Sequence, residues 1–317
     1  MAATLELADE CLRMGCTDEA ISIVRQLASA GEPRALYVLA DLMWGGHLVP
    51  RDPKRARELF ELAAARGDPR ANMIVTNLLA SGIAGGRDWG HALDRLATEG
   101  GKIAERQAAA DLIASMNTDA RGDPLDRPAG RMLAERPFIK IFENVLTEAE
   151  CDYLIQKSEP RFEPSLVVDR ELGTVKDPIR TSDGASIHWL IEDPAIHALN
   201  RRVAAVTRTE YENGEALQVL RYSEGQEYRP HFDFVPGTTN PRLWTALLYL
   251  NDDYEGGLTA FMQADLAVRG RRGDMLLFAN ATEDGKHDPL SEHAGESVRQ
   301  GRKYLATRWV RAARWIP

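Results

Sequence analysis

Small and apolar residues recur at helical spacing through the first hundred residues of the chain. One stripe comprises Ala20, Ile23, Val24, Leu27 and Ala28, and it returns at Ala56, Leu59, Phe60, Ala63 and Ala64. Positions i, i+3, i+4, i+7 and i+8 lie on one face of an α-helix. A second stripe follows each of these, over 35–43 and over 71–79, after a Gly-x-Pro turn. The pattern therefore predicts helical hairpins, each made of two amphipathic helices.

The hairpins repeat with a period of 36 residues, which separates Ala20 from Ala56 and Ala56 from Ala92. A period of this length, built from helix pairs, predicts an α-solenoid whose units bury their apolar faces by stacking. With the turn over 45–52, the segment resembles Sel1-like repeats, which are relatives of the tetratricopeptide repeat, across residues 4–116. The resemblance implies either a surface for peptide or protein partners or a stabilising appendage, and the sequence leaves both open.

The rest of the chain has a different pattern. Residues 117–135 are rich in Asp, Arg, Gly and Pro, so we expect a linker there. Over 136–317, short apolar runs are separated by Gly, Pro and Asn, which favours an antiparallel sandwich or barrel. The strand candidates are 138–142, 216–222, 244–250, 274–278 and 303–310, and the helix candidates are 148–157 and 195–211. The expected fold class is a multidomain α+β protein.

Charge and cysteine content narrow the function classes. The formal net charge is −9, from 48 acidic and 39 basic side chains, which argues against a nucleic-acid partner. No apolar run has the length of a membrane span, and the first residues lack a secretory pattern, so we expect a soluble, cytoplasmic protein. The cysteines, Cys11, Cys16 and Cys151, fit reduced thiols. The sequence does not indicate an oligomeric state.

Candidate chemistry is concentrated in two histidine-containing segments of the second domain. In an extended chain, His231 and Asp233 project from the same face because side chains alternate, so both can bind one metal ion. His293 is the leading candidate for the third ligand, and two histidines with one carboxylate form the facial set used for non-haem Fe(II). His287 is the rival third ligand, but it lacks a downstream glycine and a lysine ten residues later.

The residues around these histidines extend the pattern. The relevant segments are Gln218–Tyr222, Pro230–Asp233, Leu247–Asn251, Gly256–Phe261, Gly273–Phe278 and, after His293, Gly295, Lys303, Thr307 and Trp309. In this order and spacing they resemble the catalytic domain of prolyl 4-hydroxylases, which are Fe(II)- and 2-oxoglutarate-dependent oxygenases, across residues 137–315. The resemblance implies a double-stranded β-helix, or jelly roll, with His231, Asp233 and His293 as the catalytic iron ligands.

The same resemblance implies a co-substrate site. Lys303, ten residues after His293, is expected to pair with the distal carboxylate of 2-oxoglutarate. Tyr222 either donates its hydroxyl to the co-substrate or is a buried structural tyrosine. Lys303, Thr307 and Trp309 share one face of a predicted strand, so they can line one pocket. A buried ammonium needs an anionic partner, which a dicarboxylate supplies.

The substrate groove is marked by fewer residues. Arg180 matches a segment that borders the groove in the resembling family, and the polar stretch 169–179 before it is either a mobile lid or a loop. Leu258 stands where that family commonly has an acidic residue. This departure leaves the metal ligands intact and bears on the substrate rim alone.

The resemblance also implies the reaction. Fe(II) is the metal, 2-oxoglutarate and O2 are co-substrates, succinate and carbon dioxide are co-products, and ascorbate is the reductant. We favour hydroxylation of a prolyl residue in a peptide or protein that binds through the repeats and the groove. The first alternative is a hydroxylase of a free amino acid or other small molecule, and the second is a non-catalytic repeat scaffold with a sensor-like oxygenase domain.

Overall fold

The computed structural model describes residues 3–169, 173–176 and 179–316. The polar stretch 169–179, predicted as a mobile lid or a loop, lies partly outside the described residues, which omit 170–172 and 177–178. The backbone over 166–169 pairs antiparallel with that over 173–176.

The chain divides into two compact units. The first extends to Ala114 and also includes Trp189–His197, while the second comprises Ser115–His188 and Ala198–Ile316. Trp189–His197 lies inside the predicted second domain, so its membership of the helical unit was not indicated by the sequence. Within that unit the Asn77 side chain donates a hydrogen bond to the carbonyl of Leu190 at 2.8 Å.

The first unit is built of helical hairpins. Its helices are α1 (Leu5–Arg13), α2 (Thr17–Ser29), α3 (Pro33–Gly45), α4 (Pro53–Ala65), α5 (Pro69–Ser81), α6 (Trp89–Gly100) and α7 (Ala104–Ser115). Two more α-helices follow later in the described chain, α8 (Glu148–Ser158) and α9 (Pro194–Thr207). The three pairs from α2 to α7 confirm the helical repeat that the 36-residue period predicts. None of the described helices is both long and apolar enough to span a membrane.

Successive hairpins begin and end in the same way. Asp52, Asp68 and Asp88 cap α4, α5 and α6, because each carboxylate accepts a backbone N–H of the first turn. Gly46 and Gly82 end α3 and α5 with φ of 76° and 74°, a left-handed conformation that favours glycine. The sequence repeat is thus a repeat of helix boundaries as well as of apolar faces.

Alanines of the repeat occupy the most buried helix positions. Ala35, Ala56, Ala71 and Ala92 are fully buried, and Ala20 is 1% exposed. A methyl group at these positions lets neighbouring helices approach closely, as the sequence pattern predicts.

The second unit is mainly antiparallel. The described strands are β1 (Gly130–Ala134), β2 (Ile139–Phe142), β3 (Glu163–Pro164), β4 (Leu166–Asp169), β5 (Gly173–Lys176), β6 (Asp183–Ile187), β7 (Leu217–Tyr222), β8 (Tyr228–His231), β9 (Arg242–Tyr249), β10 (Glu255–Gly256), β11 (Thr259–Phe261), β12 (Leu266–Val268), β13 (Met275–Ala279), β14 (His293–Gly295), β15 (Val298–Gln300) and β16 (Lys303–Arg311). The five strands predicted from apolar runs correspond to β2, β7, β9, β13 and β16.

Two sheets enclose the core of this unit. The larger sheet has the order β1-β2-β13-β9-β16-β7-β6-β3, and the smaller has the order β12-β11-β14-β8. Leu247, Tyr249 and Leu305 of the larger sheet pack with Phe261 and Val268 of the smaller one in a single apolar cluster. Two sheets packed in this way form the predicted jelly roll.

Two boundaries differ from the sequence prediction. Strand β1 lies inside the segment predicted as a linker, where it pairs with β2 at the edge of the larger sheet. Helix α9 ends at Thr207 rather than extending to Tyr211, because Arg208 adopts a left-handed φ of 58° and Thr209 then donates its N–H back to Ala204. The first feature depends on strand pairing and the second on the conformation of one residue, and residue periodicity encodes neither.

A buried ion pair lies between the last two repeat helices. Arg106 donates to Glu99 at 2.6 Å, and each side chain is only 4% exposed. Glu99 also accepts hydrogen bonds from Thr76 at 2.5 Å and from Asn72 at 3.0 Å. Removing one member of such a pair leaves the other charge buried without compensation.

We therefore expect Glu99→Ala to lower the free energy of unfolding by about 3–5 kcal/mol. The matched control is Glu58→Ala, which breaks an exposed pair with Arg55 and should change stability little. Urea unfolding followed by helical circular dichroism measures both variants. Equal losses in the two variants would contradict the role given to the buried pair.

Candidate active site

Two neighbouring strands of the smaller sheet supply the two histidines of the predicted metal set. His231 is the last residue of β8, His293 is the first residue of β14, and the two are direct partners in the antiparallel register. Asp233 follows two residues after β8. The register therefore brings together side chains that are far apart in the sequence.

The three side chains form a compact set. Their candidate ligand atoms all lie within 4.8 Å of one another. Nε2 of His231 is 3.7 Å from Oδ1 of Asp233, and Nε2 of His293 is 3.6 Å from Oδ2. Two imidazoles and a carboxylate at this spacing suit a first-row metal with open coordination positions.

The other nitrogen of each imidazole is bound to the main chain. Nδ1 of His231 donates to the carbonyl of Arg229 at 2.8 Å, and Nδ1 of His293 donates to that of Ser291 at 2.9 Å. Each Nε2 consequently presents its lone pair to the centre of the set, which is the arrangement of metal-binding histidines. Burial, with a smaller contribution from His293, lowers the pKa of His231 to about 4, so this ring is neutral at neutral pH.

Asp233 is buried and held by a neighbouring hydroxyl. Its Oδ2 accepts a hydrogen bond from Thr245 at 2.7 Å. Burial by itself raises the pKa of Asp233, but His293, His231 and the Thr245 hydrogen bond together outweigh burial and lower it. The carboxylate is therefore ionised at neutral pH, as a metal ligand requires.

The three side chains open into a pocket. Its lining consists of Arg180, Leu220, Tyr222, Tyr228, His231, Asp233, Leu247, Thr259, His293, Gly295, Lys303, Leu305, Thr307 and Trp309. All eight site residues named from the sequence are in this set. A metal set, a cation and polar donors thus converge on one space with partly apolar walls.

Lys303 is the cation of this pocket. It is 3% exposed, and its Nζ donates to the carbonyl of Gly257 at 2.7 Å. No carboxylate in the described part of the chain forms an ion pair with it. Burial lowers the pKa of Lys303 to about 8. Gly257 permits this contact, since its φ is 61° and an added Cβ would lie 3.3 Å from Cδ of Lys303.

The remaining predicted residues surround the metal set and Lys303. Oγ1 of Thr307 and Nε1 of Trp309 are buried and have no hydrogen-bond partner among the described residues. The ring of Tyr222 lies 5.7 Å from Nζ of Lys303. The guanidinium of Arg180 lies 5.4 Å from the ring centre of Tyr228. Thr307 and Trp309 therefore give the pocket polar donors that have no partner in the described part of the chain.

The sequence did not identify several residues that support the site. Tyr228 stacks on His231 with ring centres 3.4 Å apart, and Thr245 and Asn280 lie behind Asp233. A threonine inside the apolar run 244–250 is a weak signal, while Tyr228 and Asn280 carry none. The rival ligand His287 packs instead against Phe232, with ring centres 4.5 Å apart, and is not part of the metal set.

Known proteins are similar in sequence to the part of the chain that contains this site. Residues 217–311 match the model of the 2OG-Fe(II) oxygenase superfamily. The chain is 38% identical over 195 residues to Prolyl 4-hydroxylase 1 of Arabidopsis thaliana, a match that covers 55% of this chain and 69% of the relative.

Two solved structures show lower similarity to the chain. One is the viral collagen prolyl hydroxylase of Paramecium Bursaria Chlorella virus-1 in its 2OG complex, with a TM-score of 0.44, 24% identity and coverage of 57% of this chain and 99% of that one. Another is a Sel1 repeat protein from Oxalobacter formigenes, with a TM-score of 0.32, 24% identity and coverage of 34% and 84%.

The match to the plant enzyme carries the assignment, because it combines substantial identity with coverage of most of that relative. The oxygenase model adds the chemistry, since its residues include both histidines, Asp233 and Lys303. The chain belongs to the prolyl 4-hydroxylase family of 2-oxoglutarate- and Fe(II)-dependent dioxygenases.

Proposed function

We propose that this protein hydroxylates a prolyl residue in a peptide or protein. The observation that supports this most is the convergence of His231, Asp233 and His293 with the buried cation of Lys303 in one pocket. When bound there, Fe(II) with 2-oxoglutarate and O2 supplies the oxidant for a C–H bond, and succinate and carbon dioxide are the co-products.

The metal ligands are His231, Asp233 and His293. Their nitrogen and oxygen donors match the preference of non-haem Fe(II), and both imidazoles already direct Nε2 toward a common centre. Tyr228 and Phe278 pack on the two rings and restrict their rotation. The protein thus holds the ligand set before the metal arrives.

Lys303 binds the distal carboxylate of 2-oxoglutarate. A desolvated ammonium with no carboxylate partner in the described chain is costly, and an anionic ligand offsets that cost. Thr307 points an unused hydroxyl into the same pocket, which suits a second hydrogen bond to a carboxylate. Tyr222, next to Lys303 across the strand pair, is the further candidate donor.

The substrate lies on the Arg180 side of the pocket. Arg180 lines the space, and Trp309, which also lines it, belongs with Thr307 to the co-substrate side. The names of the plant and viral relatives support prolyl hydroxylation. We further propose that the helical repeats bind a protein substrate and that ascorbate restores oxidised iron.

One experiment separates the proposal from its alternatives. The full chain is incubated with Fe(II), 2-oxoglutarate and ascorbate, together with a library of proline-containing peptides or a panel of free amino acids. We expect one added oxygen on a peptidyl proline and one succinate per event. Oxygen gained only by free amino acids favours the small-molecule alternative. Absence of any product with either set favours the non-catalytic scaffold, against which family membership already argues.

The first prediction for the active site concerns the carboxylate ligand. Asp233→Ala should lose iron-dependent succinate formation and keep the thermal unfolding temperature close to that of the wild type, since Asp233 serves the metal more than the core. Asp284→Ala, at an exposed carboxylate of the same unit, is the control and should retain turnover. Wild-type turnover in Asp233→Ala would rule out the ligand assignment.

The second prediction concerns the co-substrate. Lys303→Ala should weaken 2-oxoglutarate binding by tens-fold to thousands-fold, because loss of a buried charge pair costs about 2–5 kcal/mol. Binding of Fe(II) should change little. The exposed Lys286→Ala is the control. Saturation by 2-oxoglutarate that matches the wild type would place its distal carboxylate on another side chain.

The third prediction is a pH dependence. Below about pH 8 the ammonium of Lys303 is protonated in the free protein, and above that pH it loses its proton. Anion binding then requires proton uptake, so the affinity for 2-oxoglutarate should fall by about tenfold per pH unit above the pKa. Anaerobic calorimetry with the Fe(II)-loaded protein measures this. A dissociation constant that stays flat between pH 7 and about pH 9.5 would contradict it.

A further inference from the structure

A buried amide lies behind the carboxylate of the metal set. Asn280 follows β13 directly and is 0% exposed. Both of its backbone groups are hydrogen-bonded to the main chain, because its N–H donates to the carbonyl of Leu243 and its carbonyl accepts from the N–H of Asp288. Its side-chain Nδ2 donates to Oγ1 of Thr245 at 2.8 Å. The amide is thus fixed in place at the end of β13, the strand that pairs with β9.

Thr245 connects Asn280 to the metal set by hydrogen bonds. It is fully buried on β9, and its hydroxyl donates to Oδ2 of Asp233 at 2.7 Å. An ionised carboxylate only accepts hydrogen bonds, and a threonine hydroxyl has one hydrogen to give. Thr245 must therefore accept from Asn280, and of the two polar atoms of that amide only Nδ2 carries hydrogen to donate. The direction of both hydrogen bonds is fixed.

Asp233 needs such a tether more than the two histidines do. His231 and His293 are held by the ladder between β8 and β14, whereas Asp233 lies beyond the end of β8. Its carboxylate has to keep Oδ1 and Oδ2 near the two Nε2 atoms at once. A directed hydrogen bond to Oδ2 restricts rotation of the Asp233 carboxylate about its Cβ–Cγ bond.

The amide is retained at a cost. Oδ1 of Asn280 is buried and has no hydrogen-bond partner among the residues that the structure describes. A leucine of similar size would leave no such unsatisfied acceptor, so core packing alone does not account for this side chain. Its donor toward Thr245 does.

We infer that Asn280 and Thr245 are positioning residues that hold the carboxylate of Asp233 in its metal-binding orientation through the directed relay Asn280–Thr245–Asp233. The inference rests on the proposed function, because it takes Asp233 as a metal ligand. It assigns Asn280 a role in metal affinity, with no contact to substrate.

The test measures metal affinity without turnover, using Co(II) as a spectroscopic probe in the full chain. Asn280→Leu and Thr245→Val should each weaken Co(II) binding by roughly 10-fold to 100-fold, the usual effect of losing a partner of a metal ligand. Thr245→Ser keeps the hydroxyl and should restore binding to near the wild-type value. Asn280→Asp should weaken binding more than Asn280→Leu, because its carboxylate competes for the hydrogen of Thr245.

Controls separate the relay from general damage to the fold. Ser158→Ala removes a buried hydroxyl that donates to Leu154 and should leave Co(II) affinity unchanged. Thermal unfolding of the metal-free Asn280→Leu protein should be no lower than that of the wild type, since the unsatisfied acceptor is gone. If Asn280→Leu does not fold, the comparison of Thr245→Val with Thr245→Ser decides the hydroxyl step, and Asn280→Asp decides the amide step.

The outcomes distinguish the inference from the proposed function. Wild-type affinity in both Thr245→Val and Asn280→Leu overturns the relay. Equal losses in Thr245→Val and Thr245→Ser also overturn it, since they indicate packing rather than the hydroxyl. If the wild-type protein itself binds no Co(II), the metal site of the proposed function fails, and the relay fails with it.

Discussion

The pairing of β8 with β14 is the constraint on which the active site depends. It sets His231 directly opposite His293. A slip of one residue would turn one imidazole to the other face of the sheet, because side chains alternate along a strand. The register is secured by apolar neighbours, since Phe261 pairs with His293 on the other side of β14 and belongs to the core between the two sheets. The packing of the core therefore also determines the geometry of the metal set.

The electrostatics of the pocket follow from its burial. The interior that packs the two sheets also removes water from Lys303, which lowers its pKa and leaves the ammonium without a carboxylate in the described chain. Asp233 is also buried, but its Oδ2 accepts a hydrogen bond from the Thr245 hydroxyl. The protein thus gives the anion of the site a hydrogen-bond donor of its own and leaves the cation for a ligand. This asymmetry is what a site for a dicarboxylate co-substrate needs.

Features encoded by local periodicity or by spacing were predictable from the sequence. The stripe from Ala20 to Ala28 predicted its helix, and the apolar run 303–310 predicted β16. The family resemblance carried by His231, Asp233, His293 and Lys303 predicted one site, and all four side chains line one pocket. Features that need pairing between distant strands were not predictable. Thr245 reaches Asn280 only because β9 and β13 are neighbours, and Trp189–His197 joins the helical unit through contacts such as that of Asn77 with Leu190.

The central claim is that this one pocket binds Fe(II) and 2-oxoglutarate together. An anaerobic titration tests it most directly, because 2-oxoglutarate chelated to Fe(II) absorbs visible light and either component alone in this protein does not. We predict that adding 2-oxoglutarate to the Fe(II)-loaded full chain produces this charge-transfer band and that it saturates at one equivalent per chain. A protein that binds Fe(II) but develops no band at saturating 2-oxoglutarate would contradict the account.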